Sequence, residues 1–349
     1  MLLPRVSRTF ALTIPVLPDA LADVVANAYL LCRLADTIED DVRLDNATKS
    51  AFHDQLVAVL RGEADAAVFS QELAPLLSDR TLAAERDLVA QADRVIRITR
   101  SFPVNEREAI SRCLSRMCGG MPEFQRRKSL AGLADLNEMS AYCYVVAGVV
   151  GEMLTELFCE HCPDLAAKQP ELMRLALSFG QGLQMTNILK DVWEDRRANT
   201  CWLPRSVFGD GAFDLARLDE LYGTPEYREG LEQLVGIAHH HLRNALEYTA
   251  QIPAREAGMR RFCLWAIGLA VLTLRKIRAR DAWQAGDRIK ISRRSVRVTV
   301  ALVNLTYYSD RMLRLLFGIA SAGLPLVRDD GVPRPPVRFA RQHPDASRA

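Results

Sequence analysis

The sequence predicts an all-α fold, and three observations carry that expectation. Nearly every long segment repeats its apolar residues at helical spacing, no segment sustains the two-residue alternation of a half-buried strand, and no Asn-Gly or Asp-Gly turn joins two alternating runs. Helices are expected over about 19–40, 47–61, 81–100, 105–119, 132–159, 171–195, 229–250, 255–284 and 293–321. The first opens at Asp19, which follows Pro18 and is read as its N-cap. The third ends at Ser101-Phe102-Pro103 and the fifth at Cys162-Pro163-Asp164. The sixth closes before the break at 199–204, and the seventh follows Tyr222-Gly223-Thr224-Pro225. The eighth contains the apolar run 262–274, which Arg275-Lys276 closes, and reads as a buried helix. No break is long enough for an interdomain linker, so residues 1–324 are expected to form one helical domain. Residues 325–349 differ: Pro325, Pro333, Pro335, Pro336 and Pro344 lie among Arg328, Arg334, Arg338, Arg341 and Arg348, with little apolar material. That tail is expected to be disordered and basic, at most a weak anchor for anionic lipid.

The 349 residues are 49% hydrophobic and 25% charged, the balance of a globular protein with a substantial core. Lys plus Arg number 45 against 43 Asp plus Glu, a formal charge of +2, which argues against nucleic acid as the partner. The eight cysteines sit in apolar or helical stretches with no framework spacing and are expected to be reduced thiols. Cys159 and Cys162 flank His161 in a lone CxxC without the second pair that a zinc site needs. Arg5 and Arg8 precede the apolar run 10–17 in the manner of a signal peptide, but Pro15 and Pro18 interrupt it. No stretch approaches the ~20 apolar residues of a spanning helix. A cytoplasmic protein is expected, with any membrane contact peripheral.

Two acidic stripes carry the chemistry. Tyr29, Arg33, Asp36 and Asp40 are spaced by four, three and four residues, which keeps them on one narrow face of a helix, with Glu39 and Asp41 alongside. Gln184, Asn187, Asp191 and Asp195 repeat the device with steps of three, four and four, with Glu194 alongside. Both stripes run along otherwise apolar helices, where two carboxylates one turn apart repel each other and are costly unless a cation compensates them. Acidic residues near a helix C-terminus also oppose the macrodipole, so a merely solvated acidic face explains the pattern poorly. Carboxylates without His or Cys suit a hard cation, and Mg²⁺ takes a few carboxylates together with water and phosphate oxygens. The chemistry that follows is departure of a metal-bound diphosphate from an allylic carbon, in a dry apolar pocket whose aromatic faces, such as Tyr29, Tyr142, Phe179 and Phe262, stabilise the cation.

Ser7-Arg8-Thr9-Phe10, then YLLCRLADTIEDD at 29–41, YCYVVAGVVGE at 142–152, and QMTNILKDVWEDRR at 184–197 followed by Trp202-Leu203-Pro204, resemble the squalene/phytoene synthase family, in order and over about residues 5–315. The resemblance implies the class I isoprenoid synthase helical bundle, a single domain around a central apolar cavity. It implies Asp36, Glu39, Asp40, Asp191 and Asp195 as ligands of Mg²⁺ and diphosphate. Ser7, Arg8, Thr9 and Phe10 would form a flap, with Arg8 and Arg33 near the diphosphate, which the planar guanidinium fork can grip bidentately. Gln184 and Asn187 would line the substrate site, and Tyr142, with Tyr29 and Phe10, would steer cation and proton during cyclopropane formation. Gly148 and Gly151 read as close helix-packing positions.

Within the family the resemblance is to the reductive squalene synthase branch: two farnesyl diphosphates would join head to head through presqualene diphosphate, and NADPH would reduce the product to squalene, a hopanoid or sterol precursor. The segment 288–294, with Lys290 and Arg293, resembles the basic segment that grips the cofactor phosphates, and Phe262-Cys263 resembles the apolar wall facing the nicotinamide. A basic first turn is unfavourable to the helix dipole, which hints at an anionic ligand there. Lys190, also assigned to the cofactor, stands where most relatives have Arg, keeping the charge but losing the fork. Thr9 replaces a common Ser, and Ser292 interrupts the basic triplet. The alternative within the family is a non-reductive synthase that yields dehydrosqualene, phytoene or presqualene diphosphate. A terpene cyclase is disfavoured because NILKDVWED lacks the Ser/Thr-Glu pattern of that class, and a non-catalytic assembly subunit is disfavoured by the intact acidic stripes.

Overall fold

The computed structural model describes residues 2–7, 10–209, 213–279, 289–328 and 331–333. Among the described residues every regular element is helical, and the extended pairing is an isolated parallel bridge between Leu133 and Pro204. Two short helices, α1 (Leu3–Val6) and α2 (Phe10–Thr13), lead into α3 (Asp19–Asp40). Pro18, not Asp19, takes the N-cap position; Asp19 is the first helical residue, where its charge complements the dipole. Next come α4 (Asn46–Arg61) and α5 (Ala66–Leu73), each opened by an aspartate: Asp45 accepts from the Thr48 N–H at 2.8 Å and Asp65 from the Ala67 N–H at 2.7 Å. The helix expected over 81–100 is two, α6 (Ala83–Ala90) and α7 (Ala92–Ser101), because Gln91 leaves the helical region at φ −110°, ψ 17°.

Helix α8 (Val104–Gln125) runs past the expected end, carrying Pro122 inside it. A five-residue π-turn, 144–148, interrupts the expected fifth helix and divides it into α9 (Leu136–Cys143) and α10 (Val149–His161). After α11 (Pro163–Ala166) comes the longest helix, α12 (Gln169–Arg197), then α13 (Leu218–Leu221), α14 (Pro225–Gln251) and α15 (Ala257–Arg278). The expected last helix is again two, α16 (Arg293–Thr306) and α17 (Asp310–Ala320), the second capped by Ser309.

Helix α12 is the hub, packed by α9, α10, α14 and α15. It carries buried residues around most of its circumference, as a central helix must. Its neighbours approach closely: a Cβ on Gly180 would come within 2.5 Å of the Ala147 carbonyl oxygen, and one on Gly151 within 2.5 Å of the Ala176 oxygen. Gly151 is thus a helix-packing position, as expected, whereas the obstacle at Gly148 is the Tyr144 ring one turn earlier in its own helix. All eight cysteines are buried and unbridged.

Two helical stretches, Leu136–His161 and Ala257–Arg278, are long and apolar enough by length and composition to cross a membrane, more than the sequence reading allowed. Both are core elements here, with 61% of the relevant window buried. The tail expected to be loose from residue 325 begins as a packed strap. The Pro325 carbonyl lies 2.8 Å from His239 Nδ1, Val327 and Val332 pack on the core, and Pro333 accepts from the Ser140 hydroxyl at 3.5 Å. The remaining tail, 334–349, lies outside the described residues.

Candidate active site

Helix α3 places Asp36 and Asp40 one turn apart, and α12 does the same for Asp191 and Asp195. These pairs come from distant parts of the chain, yet they share one electrostatic environment: the charge of Asp40 raises the pKa of Asp195, and Glu39, Asp195 and Asp40 all raise that of Tyr142 on α9. Loss of hydration is the larger cause in each case, and it pushes Asp36 up to about 7 and Asp195 up to about 7. Arg33 opposes the shift at Asp36, and Lys190 opposes it at Asp195. Asp40 reaches solvent, yet the protein around it strips enough hydration to raise its carboxyl as well.

Glu39 is held differently from the aspartates. It is 6% exposed, and its carboxylate accepts from the Gln125 amide of α8 while its backbone carbonyl accepts from Lys49 Nζ of α4 at 2.5 Å. Burial, with Asp40 and Asp36 beside it, pushes its carboxyl up to about 8, against the pull of Gln125 and Lys128. Asp41, next in sequence, is structural: it accepts from the Arg43 and Ser78 N–H groups and the Thr81 hydroxyl, at 2.8, 2.7 and 2.6 Å, tying the end of α3 to the loop before α6.

The N-terminal segment packs against α3 at Tyr29. Ser7 Oγ accepts from the Phe10 N–H at 3.0 Å, and the Phe10 ring centroid lies 5.0 Å from that of Tyr29. Arg33 donates to the Tyr29 hydroxyl at 3.2 Å and stands 3.8 Å from Asp36 and 3.7 Å from Glu85. Its Nε is buried without a hydrogen-bond partner among the described residues, a donor free for an anion. Arg8 and Thr9 lie outside the described residues. On α12, Lys190 Nζ lies 3.0 Å from Asp191 and 3.3 Å from Asn187 Oδ1, while Gln184 is half-buried. The Tyr142 ring is stacked on Trp202 at 4.0 Å and edge-on to Phe124 at 5.3 Å. Trp202 is held by the bridge at Leu133, where Gly132 has φ +76° and a Cβ would meet the Leu203 oxygen at 2.4 Å.

The donor set bears on the metal question. It is all oxygen, its charges are mutually repulsive, and no three His, Cys, Asp or Glu side chains close on a single point among the described residues. That arrangement fits Mg²⁺ ions shared between one or two carboxylates and a diphosphate, not an all-protein cage. The side chains assigned to NADPH are scattered by comparison. Lys190 pairs with Asp191, Phe262 packs in the core 6.3 Å from Phe158, and Lys290 and Arg293 are exposed, with the Lys290 carbonyl accepting from Lys276. No hydrogen bond or ion pair among the described residues joins these four side chains to one another.

Gln125, Lys49, Lys128, Glu85 and the stacking role of Trp202 were not anticipated from sequence. Gln125 lies beyond the helix expected over 105–119 and within α8, which continues through Pro122 to Gln125. Lys49 meets the backbone carbonyl of Glu39 across the turn from α3 to α4, and Glu85 meets Arg33 from a distant helix.

The squalene/phytoene synthase family model matches residues 3–295. The chain belongs to that family. Relatives include squalene synthase BSS of Botryococcus braunii, 30% identical over 261 residues that make up 72% of this chain and 52% of that one. The squalene synthase of Schizosaccharomyces pombe is 29% identical over 328 residues, 90% of this chain and 66% of its own. The chain therefore spans about half to two thirds of the length of these relatives. Among solved structures, ligand-bound TcSQS superposes with a TM-score of 0.74 at 24% identity, covering 94% of this chain and 91% of that one. A ligand-bound dehydrosqualene synthase superposes at 0.59 and 20% identity, covering 87% and 93%. The fold of this squalene/phytoene synthase family member is the class I isoprenoid synthase bundle.

Proposed function

We propose that the protein joins two farnesyl diphosphates head to head through presqualene diphosphate and, with NADPH, yields squalene. The support for this reading is that carboxylates one turn apart on α3 and on α12 bear on one another's surroundings: the charge of Asp40 raises the pKa of Asp195, and both raise that of the Tyr142 phenol. Bound Mg²⁺ supplies the charge neutralisation that lets pyrophosphate leave an allylic carbon. Asp36 and Asp40 on α3 and Asp191 and Asp195 on α12 would hold the ions; Arg33 would offer its unpaired Nε to a phosphate oxygen, and Lys190 would add positive charge on the α12 side. Glu39, pinned by Gln125 and Lys49, keeps the end of α3 in register. Phe10 over Tyr29 excludes water from the ionised carbon. Burial and the adjacent carboxylates keep the Tyr142 phenol protonated, so its oxygen can orient a proton near the cation while the ring face stabilises positive charge.

One observation favours the non-reductive reading: the residues assigned to NADPH are not gathered by any described contact. The deciding experiment supplies farnesyl diphosphate and Mg²⁺ with and without NADPH and identifies the extracted hydrocarbon by gas chromatography and mass spectrometry. Squalene formed only with NADPH supports the reductive reading. The same product in both arms replaces it with a dehydrosqualene, phytoene or presqualene diphosphate synthase. No prenyl product in either arm removes the catalytic reading.

A further inference from the structure

We propose that the outer faces of α16 and α17 form an interfacial surface that docks the protein onto an anionic lipid bilayer. At ~100° per residue, Val298, Leu302 and Leu305 fall within one narrow stripe of α16. The opposite side of that helix carries Val300, Val303 and Tyr307, which already pack on Leu246, Leu264 and Trp265. Helix α17 repeats the arrangement, with Leu313 and Phe317 turned inward and Met312, Leu315 and Ile319 outward. A helix on a water-facing surface needs only its inner stripe to be apolar. Here the outer residues are not marginal: Leu305 is 68% exposed, Tyr308 63%, Ile319 60% and Leu315 54%. Because both helices rest on the same underlying cluster, their outer stripes lie on one side of the molecule, with Tyr308 at the turn between them.

Charge selects the occupant. The only acidic residue in the two helices is Asp310, which stands 2.8 Å from Arg260. Arg294, Arg297 and Arg311 are exposed and have no ion-pair partner among the described residues. Apolar stripes bordered by uncompensated arginines match the headgroup and acyl boundary of an anionic leaflet, and the tyrosine suits the same depth. A second copy fits less well, since two-fold pairing of this face would bring the arginines of one copy toward those of the other. At 14 and 11 residues the helices are too short to span, so they would lie in the plane of the interface.

The test is co-sedimentation of the full chain with phosphatidylcholine vesicles, with and without phosphatidylglycerol, at physiological salt. The parent protein is expected to bind the anionic vesicles preferentially. Leu305→Gln, Leu315→Gln and Ile319→Gln together should lower its partition coefficient at least about tenfold. Circular dichroism and melting should be unchanged, because all three sites are exposed. Arg297→Gln with Arg311→Gln should remove the anionic preference while leaving residual binding. The proposal is overturned if the parent does not bind, if the apolar triple variant binds as well as the parent, or if ultracentrifugation shows a dimer that the triple variant dissolves.

Discussion

Gln125 donates its side-chain amide to the carboxylate of Glu39, joining the last turn of α8 to the last turn of α3 beneath the acidic cleft. Both side chains are buried, at 7% and 6% exposure, so neither has water as a substitute partner. Gln125→Leu is expected to leave the Glu39 carboxyl unsatisfied and to cost about 1–3 kcal/mol of stability. Urea unfolding of the two proteins checks it; equal midpoints and slopes would show that the contact carries no stability.

Asp36→Asn and Asp191→Asn, made separately, should each reduce prenyl product formation at least about a hundredfold, since each removes a charge aimed at the metal and diphosphate. Single-turnover product yield at saturating Mg²⁺ measures the effect. Retention of more than a tenth of parent activity by either variant would remove that residue from the machinery.

Asp195 titrates near 7 in the folded protein, against 3.8 when free, so the folded state holds a proton that the unfolded state has lost. Stability from this group therefore falls as pH rises from about 4 to about 7 and stays low above that. Asp195→Asn should flatten this slope and raise the melting temperature of the metal-free protein at neutral pH. A variant that melts lower than the parent at pH 7.5 would show that the cleft is not electrostatically strained.

Binding of Mg²⁺ with pyrophosphate should release protons near pH 7, because Asp36 and Asp195, both at about 7, must give them up to a cation. Titration calorimetry in two buffers of different ionisation enthalpy reads the number released. Identical heats in both buffers would contradict the raised carboxyls.

His241 is 3% exposed, with Nδ1 2.8 Å from Ser178 Oγ, and burial followed by the neighbouring His240 pushes its pKa down to about 3. Between that value and 6.5 the unfolded chain binds a proton that the folded chain refuses, so this group adds stability as pH rises, by about 1.4 kcal/mol per unit. His241→Gln should lessen the loss of stability on going from pH 7 to pH 5 by about 2 kcal/mol, judged by denaturant midpoints at the two pH values.

Legibility in the sequence tracked the range of the interactions. The bounds of α3, Asp19–Asp40, match the expected 19–40, and the two stripes land on long helices as their spacing implied. Gln91 carries no sequence signal of a break, whereas its φ and ψ interrupt the helix so that α6 and α7 can each bury their own face. The strap through Val327 and Val332 read as tail because two valines among prolines and arginines show no periodicity; they are held by α14 and the core surface, which their own segment does not encode.

The sequence by itself determined the helical class, the extent of α3, and the carboxylate pairs one turn apart, because helical periodicity is a property of consecutive residues. Only the tertiary structure decided that the charge of Asp40 bears on Asp195, that Gln125 and Lys49 secure Glu39, and that an apolar stripe on α16 and α17 remains exposed. Those outcomes depend on which helix faces meet, and that is settled by close packing among distant segments around α12, down to a glycine that lets one backbone approach another.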